Sequence, residues 1–399
     1  MSSKIATKIP YYLSIILLSF LPFSSWLISL TGNLCLSLAR DLLVLILLLF
    51  AIFLVKNKPE KHLYAVILLY CGWVLLSIFW READLWQWLR GVRFAIIPFI
   101  LIFAVASLGF NEKEKRGFYI TIFVSSMIVL ALGLLEFIGV RIPLADNVAT
   151  QGTLQSEHLV GNSDILRLQS ILAGPNALGL YLLSVLGFWW FLLRGNWRIL
   201  VLLPISILFL TYSRSAWIGL VVLLMVIIFP FIVNTGWKKK LTLGVVFALL
   251  LSIAGFFYFK PDLADDLILH GNSSSLRAAQ IERVSEARFE IGFLGRGAGG
   301  AGMSSQNRFD GGPNYWTENT YLDVFEEFGL VGLILFLAIL VLAIRQSNCS
   351  KEKKSSVPAL AILSAYLVSG FFINFYTGQA GVWLLFFAIG LMHSKEKDE

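Results

Sequence analysis

The feature that most limits the fold is a succession of uninterrupted apolar runs, many of them about 18 to 25 residues long. A helix of that length crosses the ~30 Å hydrocarbon core of a bilayer. A helix also satisfies its own backbone hydrogen bonds, which lipid cannot do for it. The runs lie near 11–30, 36–55, 62–80, 92–109, 117–139, 171–193, 199–213, 215–234, 241–259, 320–344, 357–376 and 379–393. Charged residues make up 14% of the chain, against about 25% in soluble domains. A porin-like barrel needs short strands of alternating polarity, and these runs are continuously apolar. The expectation is an all-α polytopic membrane protein, a single integral domain over 1–399 with about a dozen spans. The first run has lysines in front but no small-residue cleavage site behind, so it reads as a span and not a signal peptide. Cys35, Cys71 and Cys349 fall at different levels of this topology. Neither a disulfide framework nor a metal-ligand spacing is expected from them.

Lysine gives the expected orientation. With the N-terminus inside, short inner segments hold Lys4, Lys8, Lys56, Lys58, Lys61, Lys113, Lys115, Lys238 to Lys240, Lys351, Lys353, Lys354, Lys395 and Lys397. That follows the positive-inside rule and puts both termini in the cytoplasm. The cations left on the outer side are all arginine except Lys260: Arg40, Arg81, Arg90, Arg93, Arg141, Arg167, Arg214, Arg277, Arg283, Arg288, Arg296 and Arg308. Topology explains missing lysines but not retained arginines. The flat guanidinium fork grips phosphate and carboxylate, so an anionic, phosphorylated ligand is expected on the outer face. Nothing in the chain points to nucleic acid.

Two connections are long, and both face outward: 141–170 and 260–320. The second is expected to hold short helices packed on the span ends. Chemistry-bearing residues gather near these segments. In Thr211-Tyr212-Ser213-Arg214-Ser215-Ala216-Trp217 almost no loop separates two spans, so Arg214 sits at or near membrane depth. An arginine there is costly unless paired or wet, which makes it a functional candidate, with Ser213 as a polar neighbour. Ser273 to Ser275 are expected to cap a helix over about 276–289. Arg277 and Arg288 lie eleven residues apart on it, about 20° from alignment on one face. Arg283 reads as part of a solvated set of local pairs with Glu282, Glu286 and Glu290. Gly292 to Gly300 reads as a tight, close-packed turn. Glu318, at a span start, is either a general base or a helix-start acid stabilised by the dipole. Asn176 reads as a helix cap.

In order and placement these pieces resemble the O-antigen ligase and polymerase superfamily over roughly Ile171 to Ala380. The matching residues are Pro175, Asn176 and Gly179; Ser213, Arg214 and Trp217; Arg277 with Gly295, Gly297 and Gly299; Asn319 and Leu322; and Glu327, Gly329, Leu330 and Gly332. The resemblance implies a bacterial inner-membrane protein with a helical periplasmic loop, similar to the GT-C glycosyltransferases. It implies transfer of glycan from a polyprenyl diphosphate carrier, by default undecaprenyl, onto a glycan or lipid acceptor. It also implies inversion without a metal or other cofactor. Arg214 and Arg277 would hold the diphosphate, joined on spacing by Arg288, with Asn319, Ser213 and Asn176 in support. Lipid A-core ligases usually carry a histidine just before the Asn-x-x-Leu block, where this chain has Glu318. That departure favours a polymerase of repeat units, with Glu318 as base. The competing reading is a transporter of an anionic solute or lipid-linked sugar, which should place charge near the membrane midplane.

Overall fold

A computed structural model describes residues 8–31, 35–54, 61–140, 166–234, 271–302, 305, 315–349, 353–375 and 380–394. These form a helical bundle with no strand among them. The helices are α1 (Ile9–Phe20), α2 (Ser24–Thr31), α3 (Cys35–Phe53), α4 (Lys61–Leu76), α5 (Leu85–Leu108), α6 (Glu112–Phe137), α7 (Pro175–Leu192), α8 (Leu202–Leu210), α9 (Arg214–Asn234), α10 (Gly271–Glu286), α11 (Arg288–Ile291), α12 (Thr320–Cys349), α13 (Lys353–Ser369) and α14 (Ala380–His393). Among the described residues seven stretches, with α1 running on to Ile28 as one of them, are long and apolar enough to cross a membrane. Shorter apolar helices occupy the expected spans near 199–213, 215–234, 357–376 and 379–393. The span expected at 241–259 and most of the loop at 141–170 lie outside the described residues.

The centre of the bundle is α14 and α7, with the C-terminal half of α5. Every residue of α14 is buried, as expected of a helix apolar all round. Close approach between these helices uses small residues, the usual device in lipid, where apolar side chains gain little from meeting each other. Gly381 of α14 lies on the backbone of α7 at Leu180 and Tyr181. The Tyr366 hydroxyl of α13 donates to the Leu180 carbonyl at 2.8 Å. Outer helices keep lipid-facing apolar side chains, among them Phe53, Leu68 and Phe79.

α12 is not a continuous helix. Gly329 breaks it with φ 66° and ψ −169°, a region open essentially to glycine alone. The break frees backbone N–H groups, and the preceding turn accepts from them. Leu330 donates to the Gly292 carbonyl at 3.1 Å and Val331 to Phe293 at 3.4 Å. In return Arg296 N–H donates to the Glu326 carbonyl at 2.9 Å. Interrupted helices survive in membranes only where the freed groups are satisfied in this way.

Candidate functional site

Four segments meet at one end of the bundle: the loop 166–174 before α7, the turn 211–213 before α9, the helix α10, and Glu318 ahead of α12. The first is clamped in place. Glu136, near the end of α6, accepts from Gln169 N–H at 3.2 Å and Ser170 N–H at 2.7 Å. The Ser170 hydroxyl donates to the Val129 carbonyl at 2.7 Å. Leu168 N–H reaches the Leu210 carbonyl at 3.1 Å.

This clamp aims Arg167. Its Nε donates to the Thr211 carbonyl and its Nη2 to Asn176 Oδ1, each at 3.0 Å. Burial above all pushes the Arg167 guanidinium down to about 10; Glu318 resists that shift, while Arg214 and Arg277 add to it. At neutral pH the group is still a cation, held among other cations. Arg214 opens α9 after a turn that puts Tyr212 at φ 49°. The Ser213 and Ser215 hydroxyls lie 3.1 Å apart beside it, and Arg214 is within electrostatic reach of Arg277 and Glu318. On α10, Arg277 pairs with Glu318 through both Nε and Nη2. One turn along, Gln280 Oε1 accepts from the Glu318 N–H at 3.0 Å. α10 thus holds Glu318 by side chain and backbone together. Asn319 is the cap of α12, its Oδ1 accepting from Tyr321 N–H at 2.9 Å and Leu322 N–H at 3.1 Å.

Arg277 therefore pairs with one carboxylate, Glu318, while Arg167 and Arg214 lie within electrostatic reach of it. Arg214, Arg277, Ser213, Asn176 and Glu318, all named from the sequence, come together here. Arg167 was named only as one outer arginine among many. The sequence signal for it is slight, an arginine with Gln169 and Ser170 behind it in the mixed run that leads to the Pro-Asn turn.

Several expectations are corrected. Asn176 does not cap α7: Pro175 occupies the first turn and the cap is Gly174. The Asn176 side chain instead orients Arg167. Ser273 to Ser275 do not open α10, which begins at Gly271. The helix is also not continuous to 289. It breaks at Ala287, and Arg288 begins the separate turn α11. That break cancels the alignment of Arg288 with Arg277. Arg288 is exposed, donates to the Ser285 carbonyl at 2.6 Å and stacks on Phe289. Nor is Arg283 part of a solvated local set. It grips the buried Glu326 of α12 with two bonds of 2.7 and 3.0 Å.

Other arginines expected on the outer side are also occupied within the fold. Arg296 holds both oxygens of Glu82 at 3.0 Å and lies 3.9 Å over the Tyr315 ring. Arg81 donates to the carbonyls of Ile78 and Ala83. Arg40 and Arg93 both contact Asp41. The excess of arginine on this side thus serves packing as well as any ligand. The glycine turn is close-packed as expected. A Cβ on Gly299 would stand 2.3 Å from the Gln87 carbonyl oxygen, and Gly299 N–H donates to Glu327 Oε1 at 2.7 Å.

A search of curated proteins finds no match to this chain. Residues 199–337, from the turn ahead of α8 to the middle of α12, match the family model described as O-Antigen ligase, so the likeness to the O-antigen ligase and polymerase superfamily carried by the motifs is shown over this segment.

Proposed function

We propose that the chain is an integral-membrane glycosyltransferase of the outer face that moves glycan from a polyprenyl diphosphate carrier, and that it extends repeat units as a polymerase. The observation that carries this reading is the convergence of Arg167, Arg214 and Arg277 on Glu318 at one end of the bundle. Preorganised cations stabilise charge that develops on a leaving group, and they do so best where water is scarce. The acceptor hydroxyl oxygen attacks the anomeric carbon from the side opposite the carrier. The new C–O bond forms as the bond to the diphosphate oxygen breaks. The electron pair leaves with the lipid diphosphate, and the hydroxyl proton passes to Glu318.

Glu318 is engaged by Arg277. An arriving diphosphate competes for that guanidinium and releases the carboxylate to act as base. Donor binding and base activation are then a single event. The placement of charge at one end of the bundle, and not at its middle, supports an enzyme over a transporter. Glu318, where lipid A-core ligases carry histidine, supports the polymerase.

The test uses purified protein in liposomes with a synthetic polyprenyl-diphosphate glycan, beside Arg214→Ala, Arg277→Ala and Glu318→Gln. Chain extension without added acceptor, lost by about 10²-fold or more in each folded variant, is expected. Transfer only to an added lipid would replace polymerase by ligase. Solute uptake without glycan product would end the enzyme reading.

A further inference from the structure

α7 carries the candidate site at its first turn. At its last turn, a whole span away, lies a groove of about 1020 Å³ between α7 and the start of α6. Its wall is aromatic, formed by Tyr119 and Trp190, and its rim carries Lys113, Arg116, Arg194 and Arg198. Arg198 stacks over Trp190 at 4.9 Å and donates to the Leu193 carbonyl at 3.3 Å. Lys113, Arg116 and Arg194 make no hydrogen bond or ion pair among the described residues. The one carboxylate on the rim, Glu112, is taken by Lys115 at 2.9 Å. The groove's own lining residue Trp197 is 68% exposed, and tryptophan is a side chain found at a membrane–water boundary.

Basic loops at this end of a membrane protein follow from topology alone. What topology does not require is a cavity between two helices, apolar below and cationic above, with its acid already neutralised. The volume far exceeds a free phosphate, and the apolar wall would gain nothing from one. A glycerophospholipid fits both halves, with its phosphate among the guanidinium groups and its glycerol and upper acyl chains along Tyr119 and Trp190. We propose that this groove binds the headgroup of an anionic phospholipid from the leaflet opposite the candidate site. The proposal is independent of the transfer reaction.

Phosphatidylglycerol with a photoactivatable acyl chain, and phosphatidylcholine carrying the same chain, would be incorporated with the full-length protein into nanodiscs and cross-linked. Label from the anionic lipid is expected on peptides spanning 113–119 and 190–198, exceeding the zwitterionic lipid by at least about fivefold. Arg116→Gln and Arg194→Gln should each reduce it by about fivefold, read against the same elution profile and Tm as wild type. Should either variant fail to fold, the map of label on wild type decides alone. Equal labelling by both lipids, label confined to other helices, or full displacement by millimolar glycerol 3-phosphate would each overturn the proposal. The last outcome would make the ligand a soluble anion.

Discussion

Replacing Asn176 separates a positioning role from a capping one. Arg167 is held by two bonds, one to the Thr211 carbonyl and one to Asn176 Oδ1. A hydrogen bond to a charged group contributes about 1.5–3 kcal/mol. Asn176→Ala removes one of the two, and the Thr211 bond keeps the guanidinium near its place, so the lower figure applies. Since about 1.4 kcal/mol is a factor of ten, diphosphate affinity should fall roughly tenfold. Asn176→Ser is the informative companion. Serine is an excellent helix cap, but its side chain is too short to reach Arg167. The assay is equilibrium binding of a short-chain polyprenyl diphosphate to purified protein in nanodiscs, by thermophoresis, with Tm measured on the same samples. Both variants should bind about equally weakly, with Tm close to wild type. Wild-type binding by Asn176→Ser, with a lowered Tm for Asn176→Ala alone, would show that the side chain serves the helix and would refute the positioning argument.

Glu318→Gln should tighten diphosphate binding severalfold, because Arg277 loses its resident partner, while turnover falls by about 10²-fold or more. Parallel losses of both would sink the competition between base and donor for Arg277. Arg283→Ala leaves Glu326 buried with Arg296 3.9 Å away. Removing one partner of a buried pair costs about 3–5 kcal/mol, and because the Arg283 side chain is 32% exposed the expected loss is nearer 2 kcal/mol. It would be read as a fall in Tm that the double variant Arg283→Met/Glu326→Leu largely restores. Gly329→Ala meets the Phe293 carbonyl oxygen, 2.2 Å from the new Cβ, in a backbone region that costs about 1–3 kcal/mol for other residues; a Tm equal to wild type would count against the interlocked kink. For pH, the Arg167 group is lowered to about 10 by burial, so it is cationic below that value and sheds its proton as pH rises through it. Diphosphate affinity should be level from pH 7 to 9 and weaken toward 10, a change that Arg167→Gln abolishes.

The spans were legible because lipid leaves a chain few choices. An apolar run of sufficient length has to be a helix, and even the short run ending at His393 was found at its place. The residues at span ends were legible for a related reason, since charge near lipid is retained only at a cost. That is how Arg214 could be named, whereas Arg277 and Glu318 were joined to it by the order of the motifs. What misled was local periodicity. Arg277 and Arg288 share a face only if the helix between them is unbroken, and Ala287 breaks it to turn the chain toward Gly292. Asn176 read as a cap because its type favours one, yet Pro175 before it had already fixed the start of α7. Arg283 read as solvated because its acidic neighbours in sequence are close, whereas its partner lies on α12, across the glycine turn. Arginines that bind ligand and arginines that brace loops look alike until their partners are known.

The turn that carries Gly299 lies inside the segment with recognisable family likeness, but the surface it rests on does not. Its neighbours are Gln87, Trp88 and Gly91, from the first two turns of α5, more than two hundred residues earlier in the chain. The recognisable part is therefore not an autonomous module. Expressed alone it would lack the platform that shapes its own glycine loop, and grafting it onto the first half of a relative would succeed only where the two halves had drifted together. The N-terminal half shapes this turn at more than one point, since Glu82 N–H also donates to the Arg296 carbonyl at 3.0 Å and Ala298 N–H to Ser77 Oγ at 3.1 Å.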